Sequence, residues 1–332
     1  MSTGFSRRRF VIASGLFAGC ASAMEVENYR RLGLDRAFTD NPFDTEINGR
    51  SNMEILDALN VPEDAQYNPC EEAFPADDVP RGEIRQFPGW DQTNIFPGTV
   101  RDVWLYVPTQ LTNASEPNVI VFNDGLAYAD VAGAVRAPLV LDTLIHAGEI
   151  PPTVGVFVMP GRAAGADPAA PNPQRSIEYD SLKDDYARFA KSELLPFVER
   201  EIGQKVSANP AQRMIVGISS GGICAFNAAW HDPTCFGRVL SHCGSFVNIR
   251  GGHNYPYLVK STPRKPIRVV LTSGARDANI IVGNWPLANR MMAAALEYAG
   301  YESQFVFGEG GHSLNHGGAI FADSLRWLWR QD

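Results

Sequence analysis

The chain has 332 residues, of which 45% are hydrophobic and 20% are charged, a balance typical of folded globular proteins and not of disordered ones. Its formal charge of −8 is opposite in sign to that of most nucleic-acid-binding proteins, and its five cysteines are too few for a small disulfide-stabilised scaffold. No uninterrupted apolar run of 18 residues predicts a membrane-spanning helix. These numbers favour an acidic enzyme or binding protein with one large domain or two smaller ones.

Residues 1–23 have the pattern of an export signal. Three consecutive arginines at positions 7–9 precede an apolar run, which small residues follow. The arginine-containing stretch resembles the twin-arginine signal, so we expect the twin-arginine export machinery as a partner and a periplasmic or secreted location. The signal could be cleaved after Ala23, or Cys20 could become a lipid-modified N-terminus that anchors the protein to a membrane. Removing the three arginines lowers the formal charge from −8 to −11.

Residues 24–81 are polar and acidic and contain five prolines, so we expect an extension that wraps or tethers the following domain. The four cysteines beyond the signal have no paired Cys-x-x-Cys spacing, which argues against a zinc site. An exported protein could join them in disulfides, but the favoured interpretation is that they are small buried hydrophobic residues. A single folded domain is predicted to occupy residues 82–332.

From residue 82 onward, apolar runs of strand length alternate with segments of helix length. The predicted strands are Glu83–Phe87, Arg101–Val107, Asn118–Phe122, Thr153–Met159, Met214–Gly217, Arg238–Ser241, Ile267–Leu271 and Glu302–Phe307. The predicted helices are Ala137–Ala147, Ser181–Ile202, Ser220–Trp230, Pro286–Ala299 and Ala319–Trp329. The later strands are continuously apolar, as in parallel sheets covered on both faces, and the first two have no helix between them. We therefore predict an α/β fold with a mostly parallel sheet of about eight strands, helices on both faces and an antiparallel pair at one edge.

The segment Gly217-Ile218-Ser219-Ser220-Gly221 matches the G-x-S-x-G pattern of a nucleophile elbow. A predicted strand precedes it and a predicted helix follows it, which is the context that this motif requires. Glycines are needed because side chains would collide with the neighbouring backbone in so tight a turn, and the helix N-terminus favours negative charge nearby. Ser219 has a glycine two positions away on each side, so we predict it as the nucleophile. A connecting turn without chemistry is the alternative.

A nucleophilic serine needs a histidine as base and a carboxylate that orients the histidine. The motif predicts the chain order serine, acid, histidine, and Asp277 follows a predicted strand at the edge of the sheet where sites form. His312 and His316 lie downstream, and His312 is favoured because it comes just after the last predicted strand, in Gly-Gly-His-Ser. The alternative is a metal site of His312, His316 and Glu309, but the segment is rich in glycine and lacks the helical His-Glu-x-x-His pattern.

An ester hydrolase also needs two backbone N–H groups that stabilise the oxyanion. The third predicted strand ends in Asn123-Asp124-Gly125-Leu126, the position from which such a donor comes in this class of motif. We predict Leu126 N–H and Ser220 N–H as the two donors. A plain turn is the alternative interpretation of Asn-Asp-Gly.

Other residues near the predicted site are candidates for substrate contact. Asp124 and Gly125 lie in the oxyanion loop, and Trp285 follows the loop of the predicted acid. Trp285 could equally be a packing anchor at the start of a helix. Arg175 and Glu178 could hold the loops of the site together, with an ion pair at the surface as the alternative.

Several further motifs lie where a known enzyme family has them. They are RDVWLYVP at 101–108, FNDG at 122–125, RSIEYD at 175–180, ELLP at 193–196, the elbow at 217–222 and GHS at 311–313. From residue 82 to 330 the sequence resembles the enterochelin esterase and esterase-D branch of the α/β-hydrolases, which includes carbohydrate esterases and mycolyltransferase-like proteins. The resemblance implies an α/β-hydrolase fold, a triad of Ser219, Asp277 and His312, and oxyanion donors at Leu126 and Ser220. Residues 24–80 are too short for the N-terminal domain of the cytoplasmic enterochelin esterases.

The motifs and the resemblance together predict a serine carboxylesterase that forms an acyl-enzyme and needs no metal or organic cofactor. Three substrate classes are open: acetyl, feruloyl or aryl esters, including those on polysaccharides; siderophore trilactones of the enterochelin type; and acyl transfer to an alcohol in place of water. A binding protein that kept the fold without the chemistry is the non-enzymatic alternative.

Overall fold

The computed structural model describes residues 46–47, 50–51, 61–112, 116–167 and 170–330. The predicted export signal, with Cys20, lies outside these residues. The chain divides into two compact units, residues 1–41 and 42–332, and every described residue belongs to the second unit. Among the described residues, no helix is both long and apolar enough to cross a membrane.

The strands and helices follow one another in the order that the sequence predicts. The strands are β1 (Glu46–Ile47), β2 (Arg50–Ser51), β3 (Glu83–Trp90), β4 (Thr99–Val107), β5 (Asn118–Asn123), β6 (Thr153–Val158), β7 (Arg162–Ala163), β8 (Arg213–Ile218), β9 (Arg238–His242), β10 (Arg268–Gly274), β11 (Asn279–Ile280), β12 (Gly283–Asn284) and β13 (Glu302–Gly308). The helices are α1 (Leu126–Ala129), α2 (Ala137–His146), α3 (Pro173–Tyr179), α4 (Asp185–Phe189), α5 (Leu195–Ile202), α6 (Ser220–His231), α7 (Tyr255–Ser261), α8 (Trp285–Tyr298), α9 (Asn315–Ala319) and α10 (Phe321–Trp329).

The central sheet has the strand order β13-β10-β9-β8-β5-β6-β4-β3, with the short β7 paired to β4. Neighbouring strands from β13 to β6 run parallel, whereas β4 is antiparallel to β6, β3 and β7. All eight predicted strands are present, and the antiparallel edge pair is confirmed. The strand pairs β1–β2 and β11–β12 are separate antiparallel sheets, too short to be visible in the sequence pattern.

Helices cover both faces of the sheet, and successive side chains of a strand point to the two faces in turn. In β5, Val119 and Val121 pack in a cluster with residues of α4, α5, α6 and α8, while Ile120 and Phe122 pack with residues of α2 and α10. All four side chains are completely buried. Each such side chain contributes about 1.5–3 kcal/mol to stability, so the central strands form a rigid support for the loops at their ends.

Two of the regions that differ from the prediction lie between β6 and β8. The helix predicted from Ser181 begins at Asp185 and contains a π-helical turn, Ala190–Leu194, before α5. Pro196 explains the turn, because a proline lacks an N–H and its ring collides with the carbonyl four residues earlier, so the helix widens just before it. The second region is residues 160–179, for which no strand or helix was predicted and in which β7 and α3 are found.

Candidate active site

The elbow lies between β8 and α6, at the carboxyl edge of the sheet. Ser219 has φ 58° and ψ −122°, a strained conformation for a residue with a side chain. A Cβ on Gly217 would lie 2.2 Å from the carbonyl oxygen of Gly221, and a Cβ on Gly221 would lie 2.8 Å from Oδ2 of Asp124. The flanking glycines are therefore required by close packing, as the motif predicts.

The three residues predicted as a triad come together. His312 Nε2 lies 2.9 Å from Ser219 Oγ, and His312 Nδ1 lies 2.5 Å from Asp277 Oδ1. Ser219 follows β8, Asp277 follows β10 and His312 follows β13, so three strands bring together residues that are far apart in the chain. The geometry is that of a serine, a base and an orienting carboxylate in one hydrogen-bonded line.

Asp277 is fixed by its own hydrogen bonds. Ser273 Oγ donates to Oδ2 at 2.6 Å, and the backbone N–H of Ala278 donates to Oδ1 at 2.7 Å. The Asp277 side chain has no exposed surface, whereas that of His312 is 14% exposed. The carboxylate is thus held in one orientation below a histidine that solvent can still reach.

Trp285 packs edge-on against His312, with ring centroids 5.5 Å apart and an interplanar angle of 80°. Trp285 is only 1% exposed and belongs to a small apolar cluster with Val247 and Val282. It therefore supports the histidine ring from behind. The expectation that Trp285 contacts substrate is wrong, because the ring is covered by its neighbours, and the alternative of a packing anchor applies.

Leu126 and Ser220 are the first residues of α1 and α6, where N–H groups have no partner within a helix. No backbone hydrogen bond among the described residues uses either N–H group. Both lie at the carboxyl edge, one after β5 and the other directly after Ser219. This placement is compatible with the two oxyanion donors that the sequence suggests, and their role stays a prediction.

Asp124 and Gly125 have structural contacts that the sequence did not indicate. Asp124 forms two hydrogen bonds of 2.8 Å with the guanidinium of Arg175, so its carboxylate is already paired. Gly125 donates its N–H to Val158, and a Cβ on Gly125 would lie 2.4 Å from the backbone of β6. Gly125 is thus explained by close packing, and its contact with substrate stays a prediction.

A buried ion pair supports α3 from below. Arg101 of β4 and Glu178 of α3 are joined by hydrogen bonds of 2.7 and 3.0 Å, and neither side chain has exposed surface. Arg175, one turn earlier on α3, binds Asp124 beside the elbow. Arg175 and Glu178 therefore fix α3 beside the elbow. The alternative of a surface ion pair does not apply to Glu178, because its side chain is buried.

Asn123, at the end of β5, links the oxyanion loop to the elbow helix. Its Nδ2 donates to the carbonyl oxygen of Gly221 at 3.0 Å, and the hydroxyl of Tyr186 donates to its Oδ1 at 2.6 Å. Sequence reasoning did not identify this role. The only available signal was an amide side chain at the end of a fully apolar strand.

Two buried ionisable groups lie close to the nucleophile. Burial raises the pKa of Asp180 to about 6, although nearby Arg175 opposes the rise. Burial, and to a smaller extent the charge of His316, lowers the pKa of His242 to about 3. The backbone carbonyl of His242 accepts a hydrogen bond from Ser219 N–H at 2.9 Å, while its ring lies near Thr272 and Tyr128.

Metal binding was the alternative use of the histidines, and it does not fit the geometry. Within the described residues, one trio of possible ligands lies close together, namely Cys243, Asp277 and His312. The 2.5 Å between His312 Nδ1 and Asp277 Oδ1 is shorter than the roughly 3.2 Å between two ligands that bind one zinc ion at about 2 Å each. Burial also raises the pKa of the Cys243 thiol, whereas the thiolate is the form that binds metals. His316 lies on α9 against Tyr67.

The cysteines within the described residues are free thiols. Cys224, Cys235 and Cys243 are buried and Cys70 is partly buried, with no disulfide among the four. Burial raises the pKa of each thiol. The three buried residues are small core residues, which is the favoured interpretation of the sequence.

The chain matches a known protein family and several curated relatives. The family model described as "Putative esterase" matches residues 96–327, and the chain belongs to this esterase family. The chain is 27% identical to the iron(III) enterobactin esterase of Escherichia coli O6:H1, over 79% of this chain and 60% of that protein. It is 26% identical to the corresponding esterase of Dickeya dadantii, over 70% of this chain and 52% of that protein. The chain therefore spans little more than half the length of these relatives.

Solved structures show the same fold. The enterobactin esterase from Shigella flexneri matches with a TM-score of 0.59 and 24% identity, over 77% of this chain and 61% of that chain. A ferulic acid esterase from Anaeromyces mucronatus, solved in complex with ferulic acid, matches with a TM-score of 0.59 and 13% identity, over 79% of this chain and 96% of that chain. The predicted α/β-hydrolase fold is confirmed.

Proposed function

We propose that the protein is a serine carboxylesterase whose catalytic residues are Ser219, His312 and Asp277. The observation that carries the proposal is the continuous line of hydrogen bonds, 2.9 and 2.5 Å long, from the serine hydroxyl through the imidazole to the buried carboxylate. The strained elbow and the esterase family support the same conclusion. A binding protein without chemistry would have no need to keep this alignment.

In the proposed reaction, His312 Nε2 takes the proton of Ser219 as its Oγ attacks the ester carbonyl. The N–H groups of Leu126 and Ser220 stabilise the oxyanion, and such donors typically lower the barrier by about 3 kcal/mol each. His312 then gives its proton to the leaving alcohol, and an acyl-enzyme remains. Water attacks the acyl-enzyme with the same histidine as base, which releases the acid and restores Ser219.

Replacing Ser219 with alanine tests the proposal. Turnover of a short-chain nitrophenyl ester should fall by at least about 10⁴-fold, because the variant lacks the hydroxyl that is hydrogen-bonded to His312 Nε2. Ser192→Ala is the matched control, since this exposed hydroxyl donates only to the carbonyl of Arg188, in the preceding turn. A fluorophosphonate probe should label wild type and the control, and peptide mapping should place the label on Ser219. Turnover or labelling that survives in Ser219→Ala would contradict the assignment.

The substrate has two leading candidates. The sequence relatives are an iron(III) enterobactin esterase and an iron(III) salmochelin esterase, which favours a siderophore ester. The ferulic acid esterases instead match this chain over nearly their whole length, 96–99% of each chain, which favours feruloyl or similar aryl esters that need only the shared domain. Measuring kcat/KM for enterobactin, methyl ferulate and acetylated xylan in parallel would decide between these classes. Added methanol would reveal acyl transfer as a methyl ester product.

We further propose that the protein is exported through the twin-arginine pathway. The proposal is supported by the three arginines, the apolar run and the small residues within positions 1–23. Replacing Arg8 and Arg9 with lysines should leave the protein in the cytoplasmic fraction, as measured by cell fractionation. Mass spectrometry of the exported N-terminus would separate cleavage after Ala23 from lipidation at Cys20. Export of the lysine variant at the wild-type rate would contradict the proposal.

A further inference from the structure

The segment 62–73 precedes the part of the chain that the family model matches, yet it lies against the catalytic residues. It consists of two 3-10 turns, Pro62–Gln66 and Glu71–Ala73, joined by a short extended stretch. Asp64 is only 6% exposed, which is unusual for a carboxylate unless its hydrogen bonds are satisfied inside the protein.

Two side chains of this segment hold the backbone of the loop that carries His312. Asp64 Oδ1 accepts a hydrogen bond from Gly311 N–H at 3.0 Å, and Tyr67 Oη accepts one from Glu309 N–H at 2.9 Å. Gly311 is the residue directly before His312. The loop therefore has two of its N–H groups bound by residues about 240 positions earlier in the chain.

The loop has glycines where any side chain would collide with Asp64 or Tyr67. A Cβ on Gly308 would lie 2.3 Å from Tyr67 Oη, and a Cβ on Gly310 would lie 2.5 Å from Asp64 Oδ1. Tyr67 also packs on His316, with ring centroids 4.5 Å apart. Glycines make a loop costly to order, since they lose more conformational freedom on folding than other residues. Here they leave the space that the two side chains occupy.

The segment reaches the loop of the acid as well. Glu63 forms an ion pair with Arg276, the residue before Asp277, at 2.8 Å. The two catalytic loops are themselves joined by Ala275 N–H to Gly308 at 2.8 Å and Arg276 N–H to Gly310 at 3.1 Å. One end of the segment therefore touches both loops that carry the base and the acid.

The other end of the segment is anchored to the C-terminal helices. Glu72 pairs with Arg326 of α10 at 2.6 Å, and Cys70 N–H donates to the carbonyl of Gly318 at 3.2 Å. Ala73 is completely buried in the core cluster that contains α2 and α10. An anchored segment can transmit the rigidity of the core to the loop that it contacts.

We propose that the segment 62–73 positions the histidine loop for catalysis and that Asp64 is the principal positioning residue. This inference rests on the proposed role of His312 as the base. Without the Asp64 carboxylate, the Gly-Glu-Gly-Gly stretch before His312 is held less firmly, and the imidazole spends less time in line with Ser219. The substrate does not contact Asp64, so kcat changes while KM does not.

Asp64→Ala, Asp64→Asn and the matched control Asp78→Ala test the proposal in the full chain. Asp78 is exposed and lies in the same extension. We expect kcat of Asp64→Ala to fall about 10- to 100-fold, as for other small misplacements of catalytic groups, with KM within about twofold of wild type. Asp64→Asn should recover most of the activity, because its Oδ1 still accepts from Gly311 N–H, and Asp78→Ala should behave as wild type.

Hydrogen–deuterium exchange of the peptide 308–313 gives a readout that does not depend on activity. Exchange should be faster in Asp64→Ala than in wild type or Asp78→Ala. If Asp64→Ala does not fold, as judged by circular dichroism, Tyr67→Phe carries the test, because it removes only the hydroxyl that binds Glu309 N–H. The inference would be overturned if these variants had the same exchange rate and the same kcat as wild type. A wild-type protein that neither hydrolyses esters nor labels at Ser219 would instead overturn the proposed function.

Discussion

Replacing His242 with asparagine is expected to make the stability of the protein less sensitive to acid. The ring is fully buried at the end of β9, with Nδ1 3.2 Å from Thr272 Oγ1 and no partner for Nε2 among the described residues. His316 is the one nearby charge that lowers its pKa further. With a pKa lowered from 6.5 to about 3, the ring stays neutral in the folded state, whereas the unfolded chain takes up a proton below about pH 6.5. The stability that depends on this residue is therefore complete above pH 6.5 and is lost as the pH falls towards 3.

The size of the effect follows from the two pKa values. At pH 4.5, two units below the unfolded pKa, the unfolded state gains about 2.7 kcal/mol from protonation, at about 1.36 kcal/mol per unit. The folded state gains almost nothing at that pH, because the pKa of the buried ring is about 3. In a domain of this size the loss corresponds to a Tm lower by about 5–10 °C.

Urea unfolding of wild type and His242→Asn at pH 7.5 and pH 4.5 measures this difference. Asparagine keeps a polar group near Thr272 but cannot take up the proton, so its packing cost is the same at both pH values. The free energy of unfolding of wild type, relative to the variant, should fall by about 2.7 kcal/mol between the two pH values. His146→Asn, at an exposed site, is the control and should follow wild type. Parallel pH dependences of wild type and His242→Asn would refute the argument from burial.

Two further predictions concern buried charges. Burial raises the pKa of Asp180 from 3.8 to about 6, so the folded state holds a proton that the unfolded chain has lost, and the stability from this group falls as the pH rises from about 4 to 6. Asp180→Asn should therefore raise Tm relative to wild type more at pH 7.5 than at pH 4, and an equal effect at both pH values would contradict this. Glu178→Gln leaves Arg101 buried without its anion and should cost about 3–5 kcal/mol in urea unfolding, whereas Glu83→Gln, whose side chain is 61% exposed in its pair with Arg85, should cost much less. Similar costs in both variants would show that burial does not matter.

The strands of the sheet could be predicted because their burial leaves a mark in the sequence. β5 and β6 are buried at every position, so both appear as unbroken apolar runs, and their observed ends lie within one residue of the prediction. α3 and α7 could not be predicted, since each is seven residues long and begins with or next to a proline in a segment without apolar periodicity. Short elements of this kind are stabilised by contacts with the rest of the fold and leave little local signal.

The same distinction applies to the site. Ser219, Asp277 and His312 could be predicted because motif spacing and strand order restrict where a nucleophile, acid and base can lie. Trp285 was misassigned because an aromatic residue at a loop end has the same sequence signal whether it faces the cleft or the core. The contact of Asp64 with the histidine loop joins residues 247 positions apart, and no local pattern records such a distance.

The two ion pairs of α3 have a consequence for how this protein could diversify. Arg175 and Glu178 attach the helix to the oxyanion loop and to β4, while Ile177 between them is 45% exposed and lines a cavity of about 620 Å³. A substitution at position 177 alters the surface of that cavity without breaking either attachment. On this helix, Arg175 and Glu178 hold the structure around the site, whereas Ile177 makes neither of these attachments and can vary. Over evolutionary time, or in directed evolution, the surface of this cavity could therefore change at position 177 with little cost in stability.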